Sequence, residues 1–138
     1  MHQVANVFFL IYFIYHILVG IPGIVSVKVT RMLAYKLYKL QLEENLDLKY
    51  QYALKALGFY ALYTGLLCYF GLTSENAELK AKLLFALGVL TLLRALGRLV
   101  SKDLITKAFS LKSDRNIFHV SLNSAMALGM FYVAGHLA

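Results

Sequence analysis

The side chains best suited to chemistry are cations and amides that lie toward one end of three apolar segments. Arg94 and Arg98 are one helical turn apart and therefore share a helical face. Guanidinium groups match the geometry of phosphate and carboxylate oxygens. At 1.5 Å per residue, Asn123 lies about 9 Å inside its own segment, a depth comparable with that of Arg94. The sequence predicts one polar cluster for a ligand or lipid head group, comprising Lys55, Arg94, Arg98, His119 and Asn123.

Charged groups within apolar segments are costly, and they indicate a function or a dedicated partner. No acidic residue inside these segments can pair with the arginines. Three interpretations stay open: contact with a lipid phosphate, a dedicated anionic ligand, or structural pairing with an acid from the connections. The acids in question are Glu43, Glu44, Asp47, Asp103 and Asp114.

Signatures of other chemistry are absent from the sequence. Cys68 is the single cysteine, which excludes an internal disulfide. His16 stands alone near the middle of the first segment, where we expect a hydrogen bond to a neighbouring helix; proton relay and cofactor ligation are the alternatives. There is no GxSxG, HExxH or phosphate-binding glycine loop. We therefore expect no catalytic residue, no cofactor and no metal, and an enzyme is the less favoured class.

Four long apolar stretches must position the cluster. Asp, Glu, Lys and Arg are all absent from 1–27, 56–74 and 116–138, and only the two arginines interrupt 83–99. Charged residues make up 15% of the chain, against about 25% in soluble domains. One membrane span needs about 20 mostly apolar residues. The sequence predicts an all-α integral membrane four-helix bundle as a single domain over 1–138, with spans at about 4–27, 50–72, 79–100 and 117–138.

The connection Lys28–Lys49 is basic and amphipathic. Its lysines at 28, 36 and 39 fall near one helical face, and its leucines at 33, 37 and 40 fall on another. This pattern predicts a helix in the plane of the membrane interface, or alternatively a stalk that continues the first span. Pro22 predicts a kink or an early stop before it.

Basic residues are distributed unequally between the connections. Ten of the 14 lie around the first and third connections, and positive connections stay in the cytoplasm. The predicted location is therefore a membrane, with a bacterial inner membrane favoured and both termini on the non-cytoplasmic side. The net charge of +7 is assigned to this orientation and to contact with anionic lipids, and nucleic acid is not expected as a partner.

Small residues at helical spacing mark the predicted packing faces. Lipid provides little hydrophobic drive for helix association, so close approach through small side chains matters. We expect these faces to build the bundle of one chain, with a second copy or another subunit as the alternative. They comprise Gly58, Ala61, Gly65, Gly88, Thr91, Ala95 and Gly129.

A family resemblance rests on two stretches. The third span closes with Leu93-Arg94-Ala95-Leu96-Gly97-Arg98-Leu99, and the second runs from Ala56-Leu57-Gly58 through Gly65-Leu66-Leu67. In these features the chain resembles small uncharacterised bacterial four-span membrane proteins and DoxX-like four-helix proteins. The resemblance implies an inner-membrane bundle with no established activity, and it carries over only Gly97 and Arg98, as a helix-end feature.

Two functional hypotheses follow from the sequence. The first is a small non-enzymatic accessory or assembly subunit that packs against other membrane proteins or itself, with its basic rim on anionic lipid. The second is a binder or enzyme acting on a hydrophobic molecule with an anionic head group, such as a lipid or a quinone-like compound. It would use Arg94, Arg98 and Asn123.

Overall fold

A computed structural model describes residues 1–109 and 113–137 of the chain, and that part is helical without strands. Four of the helices are long and apolar enough to cross a bilayer, which confirms the predicted all-α class. Ala138, the end of the fourth predicted span, lies outside the described residues. The helices are α1 (His2–Val25), α2 (Val27–Tyr38), α3 (Leu48–Thr73), α4 (Ala77–Val100), α5 (Lys102–Phe109) and α6 (Ser113–Gly135).

Pro22 lies inside α1, and the helix ends three residues later at Val25. Ser26 is extended, with φ −148°, and its N–H still donates to the Pro22 carbonyl at 2.9 Å. The Thr30 hydroxyl donates to the same carbonyl at 2.9 Å. Helix α1 therefore ends, and the chain turns at Ser26. The Ser26 side chain then caps α2 by accepting a hydrogen bond from the Val29 N–H.

The amphipathic connection forms α2, whose lysines are exposed. Its last residue, Tyr38, is hydrogen-bonded to Arg94 on α4, so the helix turns back onto the bundle. A stalk leading away from the bundle does not fit this contact. Lys39 then ends the helix in the left-handed conformation, with φ 57°, and an irregular segment leads into α3.

The four long helices associate mainly as two pairs, α1 with α3 and α4 with α6. At the first crossing a Cβ added to Gly58 would lie 2.9 Å from backbone atoms of Gly20 and Gly23, so the two backbones are in direct contact. At the second, Gly88 lies under the ring of Phe131. Small residues allow this close approach where lipid provides little drive for association.

The remaining predicted packing residues also lie at or near helix contacts. Gly65 lies near the His16 side chain, and Gly129 lies near the Phe8 ring. Ala95 and Thr91 are buried, and Ala61 is half-buried.

The buried core lies where α1 and α4 begin and where α3 and α6 end. Its largest side chains are completely enclosed: Phe9, Cys68, Leu84 and Met130. We call this region the packed end. At the other end, α1 and α4 finish, α3 and α6 begin, and α2 and α5 lie alongside. We call that region the basic end, and its helices separate around cavities.

Candidate functional site

A cavity of about 400 Å³ opens at the basic end between α1, α2, α4 and α6. Its apolar walls come from isoleucine, leucine and methionine side chains of three of these helices. None of the described residues that line it is acidic. We call it the arginine cavity, after the cation on its wall; its polar lining residues are Tyr12, Tyr15, Tyr38, Arg94, His119 and Asn123.

Arg94 is held by two tyrosines from other helices. Its Nη2 donates to the Tyr15 hydroxyl at 3.0 Å and to the Tyr38 hydroxyl at 2.8 Å. The guanidinium carbon also lies 5.7 Å and 5.4 Å from the centroids of these two rings, within cation–π range. A guanidinium has five N–H donors, and these contacts occupy the two on one nitrogen. Each hydroxyl that accepts keeps its own hydrogen to donate, so the group can still meet several oxygen atoms of an anion.

Arg98 is positioned one turn further along α4. Its Nε donates to the Asn116 side-chain oxygen at 3.1 Å, and the Asn116 amide donates back to the Arg98 carbonyl at 3.3 Å. Asn116 is buried, so this pair fixes the end of α4 against the start of α6. The guanidinium lies 5.7 Å from the Tyr38 ring centroid. Arg94, Arg98 and Tyr38 line a further space of about 240 Å³ beside the arginine cavity, which we call the head-group cavity.

His119 and Asn123 lie one turn apart on α6, and both line the arginine cavity. The Asn123 amide donates to the His119 carbonyl within the helix, at 2.8 Å. The His119 ring lies 5.3 Å from the Tyr38 ring, centroid to centroid. The structure therefore brings together four of the five predicted residues around the end of α2.

Lys55 does not join them. It is exposed on α3, which packs mainly on α1, and it lines neither the arginine cavity nor the head-group cavity. Matching depth placed Lys55 in the predicted cluster, but depth does not determine which neighbour a helix faces.

The acids of the connections do not neutralise the two arginines in the described residues. The ion pairs of 1–109 and 113–137 are Arg31 with Glu44 at 3.6 Å and Lys82 with Glu78 at 2.6 Å. In that part of the chain, Arg94 and Arg98 are met by hydroxyls, aromatic rings and an amide. Two guanidinium groups thus share one face, and no carboxylate of residues 1–109 and 113–137 pairs with them.

Sequence reasoning missed the tyrosines and Asn116. Tyr12 and Tyr15 are three residues apart, a spacing that places them on one face of α1. The Tyr12 and Thr91 hydroxyls share a hydrogen bond of 2.8 Å between α1 and α4. Asn116 is the first residue of the last apolar stretch, where an asparagine is typical of a helix start. Its pairing with Arg98 is visible only in the structure.

His16 makes a different contact from the predicted one. Its Nδ1 lies 2.7 Å from the carbonyl of Tyr12, four residues earlier in the same helix, so the expected hydrogen bond to a neighbouring helix is not formed through this nitrogen. The ring packs edge-on against Tyr15 at 4.9 Å between centroids. His16 therefore supports the tyrosines of the cavity wall from behind.

The residues that the structure describes contain no group of three or more His, Cys, Asp or Glu side chains arranged around one point.

No protein-family model, no curated protein and no solved structure matches the chain. The resemblance to DoxX-like proteins stays a prediction.

Proposed function

We propose that this protein binds an amphiphilic molecule with an anionic head group at the basic end of its bundle. The observation that carries the proposal is Arg94, which lines an otherwise largely apolar cavity and is held by Tyr15 and Tyr38 with no carboxylate among the described residues. Its action is binding and not catalysis.

Charge supports an anionic head group. The Arg94 side chain is exposed on a membrane-spanning helix, and a charge within a span is costly unless it has a partner. Phosphate and carboxylate oxygens match the guanidinium fork. Arg98 lies on the same face one turn away, and His119 and Asn123 line the opposite wall. An anion here would meet two cations and no fixed negative charge in the described residues.

The walls support a hydrocarbon tail. Ile11, Leu37, Leu122 and Met126 line the remainder of the arginine cavity. Apolar surface of this kind is favourable for a chain and unfavourable for a free inorganic ion. The cavity therefore combines the two properties of an amphiphile in one space.

We also propose that the basic end faces the cytoplasm, with a bacterial inner membrane as the location. Lys36, Lys39, Lys102 and Lys107 are exposed there. Basic residues beside spans stay on the cytoplasmic side and attract anionic lipid head groups. Such a surface would raise the concentration of anionic amphiphiles next to the cavity.

The experiment is native mass spectrometry of the full chain, purified in mild detergent and mixed with phosphatidylglycerol or phosphatidylcholine of equal chain length. We expect the anionic lipid to bind preferentially and Arg94→Gln to weaken it about tenfold, or 1.4 kcal/mol. Lys55→Gln is the matched control, since it removes one positive charge outside the cavity and should leave binding within about twofold. Equal effects of the two variants would contradict the proposal.

Assembly with other subunits or a second copy is the second candidate. Its support is a shallow groove of about 580 Å³ on the outward face of α3, lined by Phe59, Tyr60, Leu62, Tyr63 and Leu66. Aromatic and apolar side chains of this kind can pack against another helix as well as against lipid. Purification in mild detergent tests it: a strictly monomeric species without a co-purifying protein would argue against it.

A further inference from the structure

We propose, resting on the function proposed above, that the bound amphiphile is an anionic lipid with two hydrocarbon chains, which lie on opposite sides of the last turn of α2. One chain would occupy the arginine cavity, and the second would occupy a separate apolar cavity behind α2. The head group would lie between the chains, against Arg94 and Arg98.

The separate cavity has a volume of about 320 Å³ and lies between α1, α2 and α3. We call it the tail cavity. Its lining is almost wholly apolar and includes Val19, Leu33, Ala34, Leu54 and Leu57. An apolar cleft of this size, partly open beside membrane-spanning helices, is suited to a hydrocarbon chain.

Small residues form part of the wall of the tail cavity. Gly23 and Gly58 line it at the point where the α1 and α3 backbones touch, and Ala34 faces it from α2. A Cβ at Gly23 or Gly58 would collide with the backbone of the opposite helix, so these two positions form a fixed wall. Ala34 is therefore the position at which a larger side chain can fill the space.

Continuity between the cavities carries the inference. Leu37 and Tyr38 line both the arginine cavity and the tail cavity, so the last turn of α2 is the wall between them. Tyr38 also lines the head-group cavity with both arginines. Three spaces thus meet at one residue: one holds both cations, and two have apolar walls and similar volumes.

A two-chain lipid has the matching layout, because its chains leave the head-group region from neighbouring atoms. A single-chain amphiphile with its anion at Arg94 would fill one apolar cavity and leave the other without a tethered chain. A variant that fills the tail cavity should therefore affect binding of a two-chain lipid more than binding of a one-chain lipid.

The test uses the full chain in detergent with phosphatidylglycerol and lysophosphatidylglycerol, which share a head group and differ by one chain. We expect the wild type to bind the two-chain lipid at least about tenfold more tightly. Ala34→Phe, which places a ring in the tail cavity one turn of α2 before Tyr38, should reduce this ratio to about threefold or less. Ala86→Phe, an exposed position on α4 outside the cavities, is the matched control.

Both lipids compete in one sample, so a partly inactive preparation does not change the ratio, and Ala34→Leu serves if the phenylalanine prevents folding. A ratio unaffected by both variants at Ala34 would overturn the two-chain inference. If Arg94→Gln still weakened both lipids in that case, the proposed function would stand without it. If neither Arg94→Gln nor the Ala34 variants changed binding, both would fail.

Discussion

The same four long helices form a filled interior at one end of the bundle and open space at the other. At the packed end Phe9, Leu84 and Met130 are 0% exposed and belong to a single buried apolar cluster. At the basic end the helices leave partly open cavities of about 400 and 320 Å³. The packed end can therefore hold the helices together while the basic end remains available to a ligand.

Cations at the two ends of the bundle have different surroundings. At the packed end Lys80 is 4% exposed, and its ammonium donates to the Asn6 side-chain oxygen at 2.6 Å. At the basic end Arg94 and Arg98 line cavities. A neutral partner satisfies part of the charge at both ends, but only the arginines leave room for an anion to supply the rest.

The largest effect should come from a cavity at the packed end. Leu84→Ala removes a fully buried side chain and should lower the free energy of unfolding by about 2–5 kcal/mol, because neighbouring side chains relax only partly into the space. Denaturation in detergent micelles measures this. Leu128→Ala, at a position 66% exposed, is the control and should change little.

The ratio of two-chain to one-chain lipid bound by the folded Leu84→Ala protein should equal that of the wild type. A selective loss of lipid preference in this variant would show that the two ends are not independent, and would break the comparison.

A smaller effect is expected at the basic end from Tyr38→Phe. This change removes the hydroxyl 2.8 Å from Arg94 and keeps the ring that separates the cavities. Binding of phosphatidylglycerol should weaken about threefold to tenfold, since an exposed hydrogen bond is worth about 0.5–1.5 kcal/mol and Tyr15 retains its own. Tyr60→Phe, on the outward face of α3, is the control. If Tyr38→Phe left binding unchanged, the Tyr38 hydroxyl would not help to position the Arg94 guanidinium for the lipid.

The features that could be predicted from the sequence are those that depend on residues close together along the chain. The four spans follow from uninterrupted apolar runs, because each helix satisfies its own backbone within the membrane. Arg94, Arg98, His119 and Asn123 could be grouped by depth, which needs only the rise per residue. The direction that a side chain faces around its helix axis depends on how the helices pack together. The depth rule therefore groups Lys55 with side chains that it does not approach.

The tyrosines could not be found from spacing alone. The contacts of Arg94 with Tyr15 and Tyr38 span 79 and 56 residues of sequence. Tyr38 reaches the arginine only because the chain breaks at Ser26 and α2 turns back. Pro22 indicated the break, but neither the proline nor the amphipathic pattern specified the direction in which the next helix would run.

The smallest effect should come from removing the charge at the packed end. Lys80→Met combined with Asn6→Leu replaces an ammonium and its amide partner by apolar groups of similar length, and should change the free energy of unfolding by less than about 1 kcal/mol, because a buried polar pair is often no more stabilising than a well-packed apolar one. Asn6→Leu alone should cost more, since it leaves the ammonium without that oxygen. If the double variant were instead the less stable of the two, Lys80 would have a role beyond packing. The proposed contrast between a structural cation at one end and cations that bind a ligand at the other would then have to be abandoned.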